Sequence, residues 1–546
     1  MGPDELRLNL AKPVPRPGPH QLLCRVEAAG LCFSDLKLLK EFDRHTRKSE
    51  IVSGLDAGVL EEIPSYVPGC APTVPGHEAV VRVWAVGERV TSAMPGDRRL
   101  VQTDYRWLRT ASSNAAFGYN FEGALQEYVL MDERVITSPE GESMLLPVPE
   151  ELSASALALV EPWACVEQAY LVRERQGFCA GGRMLVAGPT EPPERALAEA
   201  LRRYGGPAEI IWLPQHAPPP GLAAGVRRAA GPQAIPDGSC DDIICFGADA
   251  GLVKGLFHKL APGGLLVLVL CGGTFERPVE TPFGRMHYGG IRLVGTTGDD
   301  PATALEGIPA SGEIRAGDRV GVIGAAGPMG TMHVVRDLCQ GVEGVSVCAL
   351  DLDEDRLEEL RHLAEPLAAE RGLHFTAALS SQEATAEAFT YVVVMVPSPA
   401  LVAQAVDEAA EGAIITVFAG MPPDSTVSTD LDGYVRKRLY AVGTSGSRVE
   451  DMRAVLAKLE SGTLDTNLSV YAVAGLEGAQ EGLREVETRE AGGKIIVYPS
   501  CRGLGLTPLS EMARVMPEVA GRLSKGRWTA AAEAELLRRY GSEASE

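Results

Sequence analysis

The sequence predicts an α/β protein in which a small barrel-like β domain is joined to two tandem doubly wound parallel sheets. The first 155 residues hold short β-rich runs such as HQLLCRVEAAG, HEAVVRVWAVGERV and GALQEYVLMDERVI, broken by Gly, Pro and Asp. From about Ser153 the pattern turns helical (SASALALVEPWACVEQAYLV), and apolar strands then alternate with amphipathic helices to about residue 446. Within that stretch three segments recur in the same order. GGRMLVAGPTEPPE matches GDRVGVIGAAGPMG, DDIICFGADAGLVKGLFHKLAPGGLLVLV matches TYVVVMVPSPALVAQAVDEAAEGAIITVF, and IRLVGTTG matches RLYAVGTSG, at offsets of 136 to 149 residues. The expected layout is a β domain over 1–155, one nucleotide-type fold over 156–305 and a second over 306–446. A return to the β domain follows over 447–500, and a helical extension over 501–546.

Bulk properties remove several function classes. A chain of 546 residues is too long for one compact core. A formal charge of -22 repels phosphate backbones and no basic stripe offsets it, which argues against a nucleic acid partner. No run approaches the roughly 18 apolar residues of a spanning helix, so no membrane role is expected. The start, MGPDELRLNL, lacks the basic and apolar regions of a signal peptide, and the eleven cysteines are scattered, so a reducing, cytoplasmic setting is expected.

The segments AAGLCFSDLKLL, VPGHEAVVRVWAVGERV, MPGDRRLV, FEGALQEYV and ALVEPWA occur in that order. Together they resemble the medium-chain dehydrogenase/reductase superfamily, in its zinc-dependent alcohol, sorbitol and threonine dehydrogenase branch, over most of residues 20 to 500. The resemblance implies a GroES-like β-barrel catalytic domain beside Rossmann-like domains, here with a tandem second copy. It assigns Cys32 and His77 as ligands of a catalytic zinc, which needs about three protein donors and one open position. For the third ligand it leaves two carboxylates, Glu78 and Glu161, either of which binds directly while the other stands behind a water or exchanges with it. It gives Asp35 the role of orienting the zinc histidine and Ser34 that of passing the substrate proton outward. Lys37 stands where many relatives have a relay histidine. Taken singly these residues are ordinary: an isolated cysteine or histidine is more often packing than ligand, and Glu161 could be a charge at a helix start.

The chain departs from the family pattern in three ways. Between Cys32 and His77 lie 44 residues, an enlarged loop beside the expected substrate pocket. Val81 replaces a family glycine. The stretch TDYRWLRTASSNAAFGYNFEG holds no cysteine, so a single catalytic zinc and no structural zinc is expected.

A dinucleotide turn needs small residues where the backbone approaches a pyrophosphate at a helix N-terminus. The second copy offers Gly324, Ala325, Ala326, Gly327, Pro328, Met329 and Gly330 after the strand GDRVGVI, and the strand VSVCAL then ends in Asp351, placed to hold ribose hydroxyls. Asp351 would repel a 2′-phosphate and the next arginine is Arg356, so NAD is expected rather than NADP. The first copy has Gly188, Pro189, Thr190, Glu191, Pro192, Pro193 and Glu194, where two acids replace the needed glycines. It is expected not to bind NAD, and to serve instead as the neighbour that relatives recruit from a second subunit.

The expected function is zinc-dependent hydride transfer between NAD and the secondary alcohol of a polyol, sugar or sugar acid. The alternatives are a redox-neutral epimerase or lyase that retains NAD, and a catalytically silent NAD-binding scaffold. The partner is a small-molecule alcohol or polyol, and the assembly a homo-oligomer or an intramolecular pseudo-dimer.

Overall fold

The computed structural model describes residues 1–213, 216–222, 225–379 and 387–542. They form two compact units. One comprises Met1–Glu167 and Ser447–Glu546 together with the short stretch Gly327–Met332; the other comprises Gln168–Ala326 and His333–Gly446.

The first unit is built on the strand Gln21–Leu31, whose inner positions Leu22, Cys24, Ala28 and Ala29 are fully buried. It pairs antiparallel with Glu78–Val86, with Tyr128–Asp132 and with Lys494–Val497. The late strands Val470–Ala474 and Lys494–Val497 thus complete a sheet begun by the first hundred residues, as the return to a β domain requires. The helix Val160–Leu171 is tied to the first unit by its early residues. Trp163 is fully buried and donates through Nε1 to Ser469 Oγ at 3.2 Å. The C-terminal segment belongs to the same unit. Its helix Ala530–Tyr540 carries Glu533, whose carboxylate accepts from Ala154 N at 2.6 Å and Ser155 N at 2.8 Å. Those are free donors at the start of the helix Ala154–Ala158, where negative charge is favoured.

The second unit contains both nucleotide-type folds. The first sheet runs Val226–Arg228, Glu209–Trp212, Arg183–Ala187, Cys240–Phe246, Leu260–Val269, Arg292–Thr296, all parallel. The second runs His374–Ala378, Ser346–Leu350, Arg319–Ile323, Tyr391–Val394, Ile414–Val417, Tyr440–Gly443, also parallel and in the same sequential order. Both have the 3-2-1-4-5-6 order of dinucleotide folds, and their central strands are buried on both faces, hence the near-continuous apolar runs.

The two copies meet along an internal seam. The short strands Val279–Thr281 and Val427–Thr429 pair antiparallel, with Glu280 opposite Ser428. In the repeat these are equivalent residues, so the seam has local two-fold pseudosymmetry. Its close contacts repeat the symmetry: a Cβ at Gly295 would meet Val435 Cγ2 at 2.5 Å, and one at Gly443 would meet the Met286 backbone at 2.5 Å. Tyr434 Oη, on one side, donates to Leu293 O at 3.1 Å and accepts from Ala441 N at 2.9 Å. One hydrophobic core runs through both copies. Each fold therefore shields the last strand of the other, which would otherwise present unpaired backbone.

Gly443→Ala would force overpacking against backbone and should cost about 1–3 kcal/mol. Gly255→Ala, within a helix and with nothing within 4 Å of the new methyl, should leave the melting temperature unchanged or raise it. Equal melting temperatures for the two variants would mean the seam is loosely packed.

Candidate active site

Strand register brings the chemistry together. Gly30 pairs with Glu78, and Leu31 with Ile495, so Cys32, His77, Glu78 and Lys494 all fall at one end of adjoining strands. Cys32 leaves the strand Gln21–Leu31 as the N-cap of the helix Phe33–Glu41, and His77 immediately precedes the strand Glu78–Val86. Gly30 has no side chain because a Cβ there would collide with the Glu78 carboxylate.

Asp35 fixes the two ligand-bearing loops. It is 1% exposed; its Oδ2 accepts from Cys32 N at 3.0 Å and its Oδ1 from Gly76 N at 3.0 Å. The same Oδ1 lies 3.5 Å from His77 Nδ1, which is buried without a hydrogen-bond partner among the described residues. Donor atoms of Cys32, His77 and Glu78 lie within 4.8 Å of one another. Glu78 Oε1 is held by Lys494 Nζ at 2.5 Å in a buried ion pair, while Glu78 Oε2 is buried without a hydrogen-bond partner. A thiol, an imidazole and an unpartnered carboxylate oxygen form a donor set that suits zinc.

The electrostatics are those of a crowded, dry site. Burial opposes a charged His77, but Tyr119, Asp35 and Cys32 outweigh it and raise its pKa well above the ordinary value. Burial raises Glu161 to about 7; His77 opposes this, and Glu78 and Asp104 add to it. Burial is also the first cause that raises the Cys165 thiol, followed by Glu161. For Lys494, burial works against the charge and Glu78 overcomes it, so its pKa is raised.

Ser34 Oγ lies 3.7 Å from Cys32 Sγ, beside the donor set. Glu161 is 7% exposed and stands outside the three-residue cluster, bonded through Oε1 to Cys165 Sγ at 3.7 Å. Lys37 is exposed, and its charge acts on His45. Sequence reasoning missed Lys494, Asp104, Tyr119 and Arg47. A lysine heading the apolar run KIIV was the one visible signal for Lys494. Asp104 lies in the stretch read only for its missing cysteines. That stretch forms the strands Asp104–Thr110 and Asn114–Ala116, and Asp104–Thr110 pairs on its other edge with Ile51–Ser53 of the enlarged loop.

The turn of the second copy leads from the strand Arg319–Ile323 into the helix Pro328–Cys339, with Pro328 in its favoured first position. Gly324 has φ +82°, and both Gly324 N and Ala325 N donate to Leu350 O, at 2.7 and 3.0 Å. Asp351 follows the strand Ser346–Leu350; its Oδ2 accepts from Ala326 N at 3.0 Å and its Oδ1 meets Arg356 Nη2 at 3.2 Å. Gly327 and Met329 are half-buried and Gly330 is buried. In the first copy, Glu191 is exposed in the corresponding turn and Glu194 opens the helix Glu194–Tyr204.

Comparison with known proteins agrees with this architecture. Residues 18–140 match the alcohol dehydrogenase GroES-like domain family. The chain is 29% identical over 231 residues to an L-sorbose 1-phosphate reductase of Klebsiella pneumoniae, covering 40% of this chain and 54% of that protein. It is 25% identical over 213 residues to a sorbitol dehydrogenase of Halalkalibacterium halodurans, covering 37% and 51%. It thus spans about half the length of these curated relatives. The structure of 2R,3R-butanediol dehydrogenase from Bacillus subtilis superposes with a TM-score of 0.51 at 15% identity, covering 91% of this chain and 97% of that one, a likeness of fold. Among the described residues no helix is long and apolar enough to cross a membrane.

Removing one partner of a buried ion pair strands the other charge, so Lys494→Met should cost about 3–5 kcal/mol. Adding Glu78→Gln should recover part of that loss in chemical unfolding. A double variant as unstable as the sum of the singles would show that the two groups do not act as a pair.

Proposed function

Starting from a chain that belongs to the medium-chain dehydrogenase/reductase superfamily, we propose a zinc- and NAD-dependent enzyme that oxidises a secondary hydroxyl of a polyol, sugar or sugar acid. The observation that carries this reading is the convergence of Cys32, His77 and Glu78 within 4.8 Å, with Glu78 Oε2 lacking any partner. Cys32, His77 and Glu78 would hold the zinc, and Glu161 would be the alternative carboxylate beside them. When bound, zinc supplies Lewis acidity that lowers the pKa of a substrate hydroxyl. NAD supplies the hydride acceptor.

The protein's own groups do the rest. Asp35 keeps the His77 ring in one orientation by facing Nδ1. Lys494 keeps one Glu78 oxygen engaged, so a single oxygen is presented to the cluster. Ser34, next to Cys32, takes the proton of the substrate hydroxyl and releases it toward the solvent bordered by Lys37. For the cofactor, the small residues Gly324, Gly327 and Gly330, with Pro328 and Met329, leave the helix start open to a pyrophosphate. Asp351 would accept from the ribose hydroxyls, and Arg356 holds its carboxylate in place. The similarity to an L-sorbose 1-phosphate reductase and a sorbitol dehydrogenase supports a polyol-type substrate. The domain scheme proposed with it is a GroES-like catalytic unit made from both ends of the chain, a cofactor-binding second copy, and a first copy that acts as its internal partner.

Metal analysis of the purified protein should find about one zinc per chain, lost in Cys32→Ser and His77→Ala. A wild-type protein without zinc would remove the metal mechanism. By equilibrium titration, Gly327→Glu should abolish NAD binding, whereas Glu191→Gly with Glu194→Gly should leave the affinity unchanged. The reverse pattern would place the cofactor in the first copy.

A further inference from the structure

The enlarged loop between Cys32 and His77 does more than fill space. It folds back as the strand Ile51–Ser53 on the strand Asp104–Thr110, and this docking carries Arg47 to the cluster. Arg47 Nη1 meets Asp104 Oδ1 at 2.9 Å, and its guanidinium lies over the Tyr119 ring at 5.5 Å. The Tyr119 ring is in turn 5.7 Å from that of His77. Arg47 is also close enough to Glu161 and Cys165 for their charges to act on it.

Asp104 does not account for this guanidinium. It already binds a second one, Arg106 Nη2 at 3.4 Å, so one carboxylate faces two permanent cations. Among the described residues the Arg47 side chain bonds to Asp104 alone, and 27% of it is exposed. Several of its five N–H groups are therefore free to bind something else. Lys37, exposed on the helix Phe33–Glu41, adds positive charge on the same side, where it acts with Arg47 on His45. Two guanidiniums, Arg47 and Arg106, thus share the one carboxylate of Asp104 beside the donor set. A planar guanidinium fork suits an oxyanion with two acceptor oxygens.

We propose that Arg47, flanked by Lys37 and Arg106, binds an anionic group on the substrate, so that the enzyme acts on a polyol bearing a phosphate ester or a carboxylate in preference to a neutral polyol. The inference rests on the dehydrogenase reading above and sharpens it. Tyr119, wedged between Arg47 and His77, would set the distance between the anion and the reacting hydroxyl.

The test uses the zinc-loaded enzyme with NAD and a panel of hexitols, hexitol 1- and 6-phosphates and hexonates. The best anionic member should exceed the best neutral one by about 100-fold in kcat/KM at low ionic strength, and the gap should narrow with added salt. Arg47→Ala should lower kcat/KM for the anionic class by about 30-fold more than for the neutral class, mainly through KM, and Arg47→Lys should restore part of it. Phosphate esters or hexonates leading the panel would identify which anion is bound. A neutral hexitol equal to the best anionic compound at low salt, or an equal loss for both classes in Arg47→Ala, would overturn the proposal. Should no compound turn over, the dehydrogenase reading fails. The anion site is then decided by thermal shift: stabilisation by the phosphates or hexonates that is lost in Arg47→Ala supports it, and stabilisation unaffected by the substitution refutes it.

Discussion

The carboxylate of Asp35 is buried where an isolated charge would be costly, and it is held there by the backbone N–H groups of Cys32 and Gly76, which lie in separate loops. That one constraint fixes the spacing between Cys32 and His77. Everything else at the site is arranged around it: strand register delivers Glu78 to the same end, Gly30 leaves room for its side chain, and Lys494 balances its charge. Because acceptor and donors are shielded from water, each contact constrains geometry more strongly than the same contact at a surface.

The duplicated half of the chain follows a different logic. A doubly wound sheet ends in a strand with unpaired edge groups. Here the second fold is supplied by the same polypeptide, and the seam keeps the local two-fold relation through the antiparallel strands Val279–Thr281 and Val427–Thr429. The strands and core of the first copy remain although Glu191 and Glu194 stand where the second copy has Gly327 and Gly330. What persists in it is the apolar pattern needed for packing.

Much of this was legible because it is local or repeated. Apolar strands such as MLVA and VGVI, the turns that follow them and the in-order repeats specify two parallel sheets without reference to distant contacts. Cys32, Asp35 and His77 were legible through short motifs whose spacing a helix N-terminus and a strand start impose. Lys494 was not, because its partner Glu78 lies 416 residues away and only strand pairing joins them. Arg47 was hidden for a similar reason: the loop's length could be counted, but its docking on Asp104–Thr110 is a tertiary fact. The helix Val160–Leu171 reads from the sequence as the start of the α/β regime, while its buried Trp163 is bonded to Ser469 of the first unit.

The discontinuity of the first unit has a consequence for the order of assembly during synthesis. Its sheet needs the strand Lys494–Val497, and the helix that precedes Glu161 is clasped by Glu533. The residues of the second unit, Gln168–Ala326 and His333–Gly446, all precede both of these in the sequence. A chain emerging from the N-terminus can thus finish its nucleotide folds first and close the metal-binding half last. The thiol and imidazole of the cluster are set in register by early residues, through the pairing of Gln21–Leu31 with Glu78–Val86, whereas Lys494, which balances Glu78, joins them last.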